Sequence, residues 1–533
     1  MATPTMNPTP STLGGRNPTI GSRGALVLIL IALASCAVGP NYKRPATAPA
    51  QSFTPTPLPP STSSTSGMAG EAQTVTTAQE ISAQWWTLFQ SPALNALIER
   101  AFAANPSIEA ATAALKQAQE NVYAQQGYFF PTLQTTYNGQ RTKLPGNTAT
   151  SSAPGPQGNG QNIAPPAPAE PVTYNFHTAQ LTVGFVPDVF GGNRRQVESL
   201  GAQADAARFQ LEAAYLTLAS NVVAAALQEA STRAQIAAVK AIIDSNARTL
   251  EILRGQFQLG YVARLDVAAQ ESALAQSQQQ LPPLEKQLEQ TRDLLRMLVG
   301  NAPDHDIAET FELSTLYLPQ ELPLSLPSRL IEQRPDVRAA EEQVHSASAQ
   351  VGVAVANRLP QFAISANLGG SATKISQMFA GSGTFWNVVG NVSQSIFDGG
   401  TLRHRQRSAE QALRQAAAQY RSTVLTGFQN VADTLHALYS DADALKAAVA
   451  AEQSAGVTLD LTQKQLQSGY VNYLALLSAE QAYQQAAITV IQARATRLGD
   501  TAALFQSLGG GWWNRTGRTI AMNSDLAGAN GAQ

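Results

Sequence analysis

The sequence predicts a mixed membrane fold. A β-barrel is continued by a long α-helical coiled-coil barrel, from a tandem structural repeat with four strands per chain, closed as a 12-stranded barrel in a trimer. Three observations predict it. The chain is written twice, each copy holds one very long proline-free helical stretch, and each supplies only two strands.

The duplication is legible from landmarks. "NPSIEAA" (105–111) returns as "RPDVRAA" (334–340), and Pro106 and Pro131 recur 229 residues later as Pro335 and Pro360. "DVFGGNRR" (188–195) returns as "IFDGGTLR" (396–403), and "QLGYVARLDVAAQE" (258–271) as "QSGYVNYLALLSAE" (467–480), with glycine offsets of 208 and 209. Landmarks in the same order mark an internal repeat. The drop in offset assigns an insertion to the first copy, where residues 142–171 are rich in Pro, Gly, Ser and Asn, as an exposed loop should be.

The chain divides as follows. Residues 1–35 read as a signal peptide, 36–80 as a linker, 81–300 and 301–508 as the two repeats, and 509–533 as a mostly disordered tail. Arg16 and Arg23 precede the apolar run Ala25–Ala34, too short for a spanning helix, which needs about 20 residues, but suited to a secretory signal. It ends in Leu33-Ala34-Ser35-Cys36, and Cys36 is the sole cysteine. This tetrad resembles the bacterial lipobox, which implies cleavage before Cys36, thioether lipidation and acylation of the new N-terminus. Ala37 in place of Asp then favours the outer membrane. Several acyl chains give stable anchoring. Residues 44–79, rich in Pro, Ser and Thr, read as an extended tether.

Within each repeat a helix comes first, from Pro106 to about Tyr128 and from Pro335 to about Arg358, with proline in the favoured first turn. Strands are expected at about 132–140 and 174–186, then 361–369 and 385–396. Helices of about 65 residues follow, Arg194 to Gln258 and Arg403 to Gln467. Their apolar residues fall three or four apart, as at Val424, Phe428, Val431, Leu435 and Leu438, a coiled-coil stripe. At about 1.5 Å per residue each extends roughly 100 Å. Gly260 and Gly469 end them as C-cap glycines, and return helices run to about Val299 and Leu508. "LPP" (281–283) is expected to kink the first of these. Trp85, Trp86, Phe89, Leu94, Leu97 and Phe102 form an apolar cluster that reads as packing rather than a ligand pocket.

Four strands cannot cross a membrane as an open sheet, because edge N–H and C=O groups would lie unpaired in hydrocarbon. Three chains supply twelve, an even number in the usual range. No competing chemistry is legible. Charged residues are 14% and net charge is −2, so no basic field for nucleic acid exists. The five histidines are scattered, the six methionines do not cluster, and no phosphate loop, nucleophile elbow or zinc helix motif occurs. Asp433 and His436 read as a solvated or interhelical pair, and "DHD" (304–306) receives no role. No enzyme, cofactor or metal is expected.

The segments "CAVGPNYKRP", "QWWTLFQSPALNALIERAFAANPSIEAA", "LPSRLIEQRPDVRAAEEQVHSASAQVGVAVANRLPQFAIS" and "SIFDGGTLR" together resemble the outer membrane factor family, the TolC-like, NodT-type ducts, in the branch of lipoproteins paired with resistance–nodulation–division pumps. The resemblance covers nearly all of residues 36–510. It implies a homotrimer in the outer membrane of a Gram-negative bacterium, passive export of drugs or other small molecules, and docking to a periplasmic adaptor (a membrane fusion protein) and an inner-membrane transporter. It further implies that Gly260, Tyr261, Val262, Gly469, Tyr470 and Val471 lie in or beside the adaptor-docking turns. Asp266 matches a carboxylate that helps hold the closed state. It would otherwise serve only to stabilise the first turn of the return helix. Ser478, and sometimes Ala475, stand where related ducts place an aspartate ring, which argues against a cation-blocked gate. Leu476 and Leu477 are expected as an apolar constriction instead. Two rival readings are the outer membrane component of a type I protein secretion system and a non-conducting, lipid-anchored coiled-coil protein.

Overall fold

The computed structural model describes residues 37–45, 52–77, 80–145 and 171–515. The signal peptide, Cys36, most of the expected insertion and the tail beyond 515 lie outside the described residues. The elements are β1 (Thr74–Thr77), α1 (Pro92–Ala104), α2 (Pro106–Gln126), β2 (Thr132–Leu144), β3 (Val172–Phe185), α3 (Gly192–Gln258), α4 (Arg264–Leu298), β4 (Glu321–Leu324), α5 (Pro327–Gln333), α6 (Pro335–Ala356), β5 (Gln361–Ala372), β6 (Thr384–Ser393), α7 (Thr401–Gln467) and α8 (Tyr473–Ser507). The duplication is reproduced closely. Both long helices have 67 residues and both return helices have 35. No helix among the described residues is long and apolar enough to cross a membrane.

Local chemistry explains where the helices begin. Ser91 accepts from the Leu94 N–H at 3.3 Å, with Pro92 first in α1. Asn105 accepts from the Ser107 N–H at 2.8 Å ahead of α2. The two long helices start with the same device from different positions. Asp188 takes the N–H groups of Asn193 and Arg194 at 3.0 and 2.8 Å, and Asp398 takes those of Gly400 and Leu402 at 2.8 Å. Each carboxylate fills orphan donors at the positive end of a helix. These backbone bonds, led by Leu402, hold the Asp398 carboxyl below the usual carboxylate range.

The chain forms two compact units. Of the described residues, the first comprises those up to Tyr42, within Glu120–Gly201 and within Ser346–Leu413, and holds an antiparallel sheet in the order β2-β3-β5-β6. The first of the described residues are pinned inside this unit. The Val38 N–H donates to the Phe190 carbonyl at 3.1 Å, and Arg195 donates to the Val38 carbonyl and the Asn41 side chain at 3.1 and 2.7 Å. Gly39 lies against Gly352 so closely that a Cβ on Gly39 would stand 2.5 Å from the Gly352 Cα.

The second unit comprises the described residues within Lys43–Gln119 and Ala202–His345 and those from Arg414 to Arg515. Its core holds Trp85, Trp86, Phe89, Leu94 and Leu97 with Tyr215, Val222, Leu295, Phe311, Leu435 and Phe505. Trp85 stacks on Phe505 at 5.5 Å, and Phe102 meets Trp86 edge-on at 5.5 Å.

One expectation is corrected here. The tether is docked rather than free over residues 52–77. β1 pairs in parallel with β4, and buried Arg497 donates to the Ala69 and Glu71 carbonyls at 2.7 Å each and to Thr62 at 3.1 Å. Composition predicts little regular structure there, and little exists. What it misses is that an arginine on a distant helix satisfies the irregular backbone. The two prolines of "LPP" do not interrupt their helix. α4 runs unbroken through Pro282 and Pro283. Both prolines and the preceding Gln278 and Gln279 are exposed, so the carbonyls that lose helical donors can be solvated. At the C-terminal end, Trp512 donates from its ring nitrogen to the Gln333 carbonyl at 2.6 Å and meets Phe209 edge-on at 5.7 Å, so this stretch packs.

Candidate functional site

The sheet has two unlike faces. Antiparallel pairing sets Leu133 opposite Val183, Thr135 opposite Leu181 and Tyr137 opposite Ala179, and continues through Leu181–Leu368, Val183–Ala366 and Leu368–Trp386. One face therefore carries Leu133, Tyr137, Leu181, Val183, Ile364, Leu368, Trp386, Val388 and Val392, all exposed in the single chain. The other carries Gln134, Thr136, Asn138, Thr178, Gln180, Thr182, Ser365, Asn367, Asn387 and Asn391. Across it runs a side-chain ladder: Thr182 donates to Asn367 at 2.7 Å, and Asn367 donates to Asn387 at 2.8 Å. Apolar-out and polar-in alternation is the pattern of a transmembrane barrel strand. β2 and β6 are the sheet's edges and have no strand partner on their outer sides among the described residues.

The helix–turn–helix tips are equally regular. Gly260 and Gly469 adopt φ of +82° and +78°. After α3 the Tyr261 N–H reaches back to the Gln256 carbonyl at 2.9 Å and the Gly260 N–H to Phe257 at 3.0 Å. After α7 Tyr470 and Gly469 make the same bonds to Gln465 and Leu466. This is the Schellman closure, which requires the left-handed residue that glycine supplies. Tyr261 and Tyr470 then stand 78% and 83% exposed. Val262 packs partly beneath its turn and Val471 is half-buried.

Asp266 accepts from the Ala263 backbone N–H at 3.1 Å, closing the first turn of α4. Ser478 is exposed and Ala475 half-buried. Leu476 and Leu477 are corrected. Each is only 8% exposed, packed with Leu250, Leu253, Val267, Ala273 and Tyr473 in a cluster drawn from both hairpins. The turn of α8 directs them at the neighbouring hairpin, so they seal hairpin to hairpin and offer no free face for a constriction.

A buried polar chain behind this cluster was not read from the sequence. Tyr473 donates to Gln270 at 2.7 Å, Gln270 donates to the Asn246 carbonyl at 2.9 Å, and Asn246 donates to Ser277 at 3.3 Å. Burial pushes the Tyr473 phenol up, so it remains a donor. The available signal was polar residues at stripe positions, Asn246 and Gln270 among them. Tyr473→Phe is expected to leave the buried Gln270 carbonyl without its donor, costing about 1–3 kcal/mol. Amide hydrogen exchange in peptides spanning 246–277 should accelerate; unchanged protection would show that the chain does not hold the tips.

The "DHD" loop also gains a role. Asp306 accepts from Arg292 at 2.7 Å and from Arg296 at 2.9 Å, while fully buried Glu229 binds Arg292 at 3.0 Å and Arg233 at 2.7 Å. The two arginines, Arg292 first, hold the Asp306 carboxyl down to about 2. Asp433 accepts from Gln429 at 3.3 Å on an exposed helix face.

An amphipathic sheet with open edges, joined to paired helices far longer than a globular core requires, defines a membrane channel subunit of mixed barrel and helical-hairpin type. Residues 97–301 and 326–510 match the model of the outer membrane efflux protein family, and the chain belongs to that family. It is 27% identical to the pyoverdine export outer membrane protein OpmQ of Pseudomonas putida over 86% of this chain and 94% of the relative. It is 24% identical to the toluene efflux pump outer membrane protein TtgC of the same species, over 93% and 96%. Its fold is similar to the outer-membrane channel OprN at 25% identity, TM-score 0.76, covering 90% of this chain and all of that one. The Campylobacter jejuni CmeC channel matches at 20% identity and TM-score 0.78, over 92% and 98%.

Proposed function

We propose that this chain is the outer membrane exit duct of a tripartite efflux pump, a passive conduit for small molecules. One observation carries the reading. A four-stranded sheet, apolar on one face and polar on the other, has open edges that only further copies can close within a membrane. Three copies give twelve strands, whose polar faces and ladder of Thr182, Asn367 and Asn387 line a wet lumen. Relatives named as efflux pump components support small-molecule export over protein secretion. Sedimentation of the detergent-solubilised chain is expected to give a trimer, and monomer alone would overturn the assembly.

The exposed Tyr261 and Tyr470 turns, with Gly260, Val262, Gly469 and Val471, form the surface that a periplasmic adaptor grips, and an inner-membrane transporter loads the duct through it. Cys36 carries the lipid anchor. It precedes Ala37, and the bonds of Val38 to Phe190 and Arg195 tie the residues that follow the anchor to the strand–helix junction of the first unit.

Asp266 guards the tip by fixing the start of α4 through the Ala263 N–H. Asp266→Ala is expected to raise leak conductance of the reconstituted protein in planar bilayers, and unchanged leak would leave only the capping role. With Ser478 and Ala475 in place of carboxylates, millimolar divalent cations should leave that conductance nearly unaltered.

A further inference from the structure

We propose that the outward face of the sheet, at its hairpin end, binds the phosphates of an anionic glycolipid through Arg141 and Lys143. The proposal rests on the outer membrane placement of the sheet and goes beyond its role as a duct.

None of β2, β3, β5 and β6 contains an aspartate or glutamate. Their only lysine and arginine are Arg141 and Lys143, both near the hairpin end of β2 and both exposed. Alternation puts them on the same face as Leu133 and Tyr137. Their cross-strand neighbours are Asn175 and Thr173, and neither has an ion-pair partner among the described residues. The polar face at this level shows Gln140, Thr142 and Tyr174, all uncharged. Cations serving the pore mouth would occupy those even positions, yet these two point the other way.

Height along the strand fits a lipid headgroup. Arg141 lies eight residues beyond Leu133, about 26 Å along the strand at ~3.3 Å per residue and nearer 20 Å along the normal for a tilt of about 40°. That is close to the ~25 Å height of an apolar barrel belt. Between belt and cations sits Tyr137, whose hydroxyl meets His177 Nδ1 at 3.0 Å, an aromatic pair suited to the membrane–water boundary. At the next hairpin, Lys374 is also exposed. Arginine forks onto phosphate oxygens and lysine adds a point charge, with apolar stems lying along the belt. The hairpin end is the end away from the helices. It therefore meets the outer leaflet, where the phosphate-bearing lipid of a Gram-negative outer membrane is glycolipid.

The test is native mass spectrometry of the full chain in detergent, titrated with bisphosphorylated lipid A or the same lipid stripped of phosphate. The wild type should favour the phosphorylated form by roughly tenfold or more, a difference of ordinary size for charge-assisted contacts. Arg141→Gln with Lys143→Gln should abolish the preference while heat-modifiable mobility and conductance persist, which separates failure here from failure of the duct. Lys143→Gln alone should lose part of the preference and serves if the double variant folds poorly. Millimolar inorganic phosphate should not displace the lipid. Equal affinity of the wild type for both lipids, an undiminished preference in the variants, or displacement by phosphate would each overturn the proposal.

Discussion

Replacing Glu229 with alanine is expected to be the most damaging single change in the helical unit. Its carboxylate is fully buried and binds Arg292 at 3.0 Å and Arg233 at 2.7 Å. Removing one partner of a buried ion pair strands the remaining charge, at a cost of about 3–5 kcal/mol. Arg292 would keep Asp306, but that carboxylate is largely exposed and solvent screens it. Asp306→Asn should therefore cost far less than Glu229→Ala. Thermal melting followed by helical circular dichroism checks the order, and equal losses would show that burial is not what gives the pair its strength.

Asp306 also sets a pH window. Its folded carboxyl titrates near 2 against an ordinary 3.8. Because the folded value is depressed, its contribution is fully present above the unfolded value and is lost as pH falls from 3.8 through about 2. Asp306→Asn should remove that part of the acid sensitivity and lower the melting temperature at neutral pH by the modest amount an exposed carboxylate contributes, so that the gap between variant and wild type closes as pH falls through this window.

The second large effect concerns neighbouring valines on β6. Val388 pairs with Ala366 on the apolar face and Val389 with Ser365 on the polar one. An arginine facing lipid at mid-depth costs about 2–4 kcal/mol, whereas one facing the lumen is solvated. Val388→Arg is therefore expected to reduce the heat-modifiable, folded fraction in outer membranes. Val389→Arg should insert normally and shift conductance toward anions in bilayers. If Val389→Arg failed to insert while Val388→Arg was silent, the two faces would be exchanged.

Much of this was legible before any coordinates. The offsets between Pro106 and Pro335, and between Gly260 and Gly469, located the repeat and the ends of the long helices, because proline, glycine and an apolar stripe act through local sterics and periodicity. The strands at 132–144 and 361–372 extended a few residues past their expected ends, since cross-strand pairing lengthens a strand beyond its own pattern. The gate was read less well. Leu476 and Leu477 looked free to constrict, and only the packing of α8 against the neighbouring hairpin turned them inward. Asp306 looked idle because its partners, Arg292 and Arg296, lie more than two helical turns back along the chain.

By itself, then, the sequence determined the doubled plan, the lengths of the rods, the glycine turns and the small number of strands. All of these follow from rules acting over a few residues. The tertiary structure alone decided which residues of the four strands share each face of the sheet in register, that residues 52–77 dock under Arg497, and that Tyr473, Gln270 and Asn246 form one buried chain. Those facts depend on burial and on hydrogen-bond partners tens to hundreds of residues apart, and no local pattern encodes which distant donor will meet which acceptor.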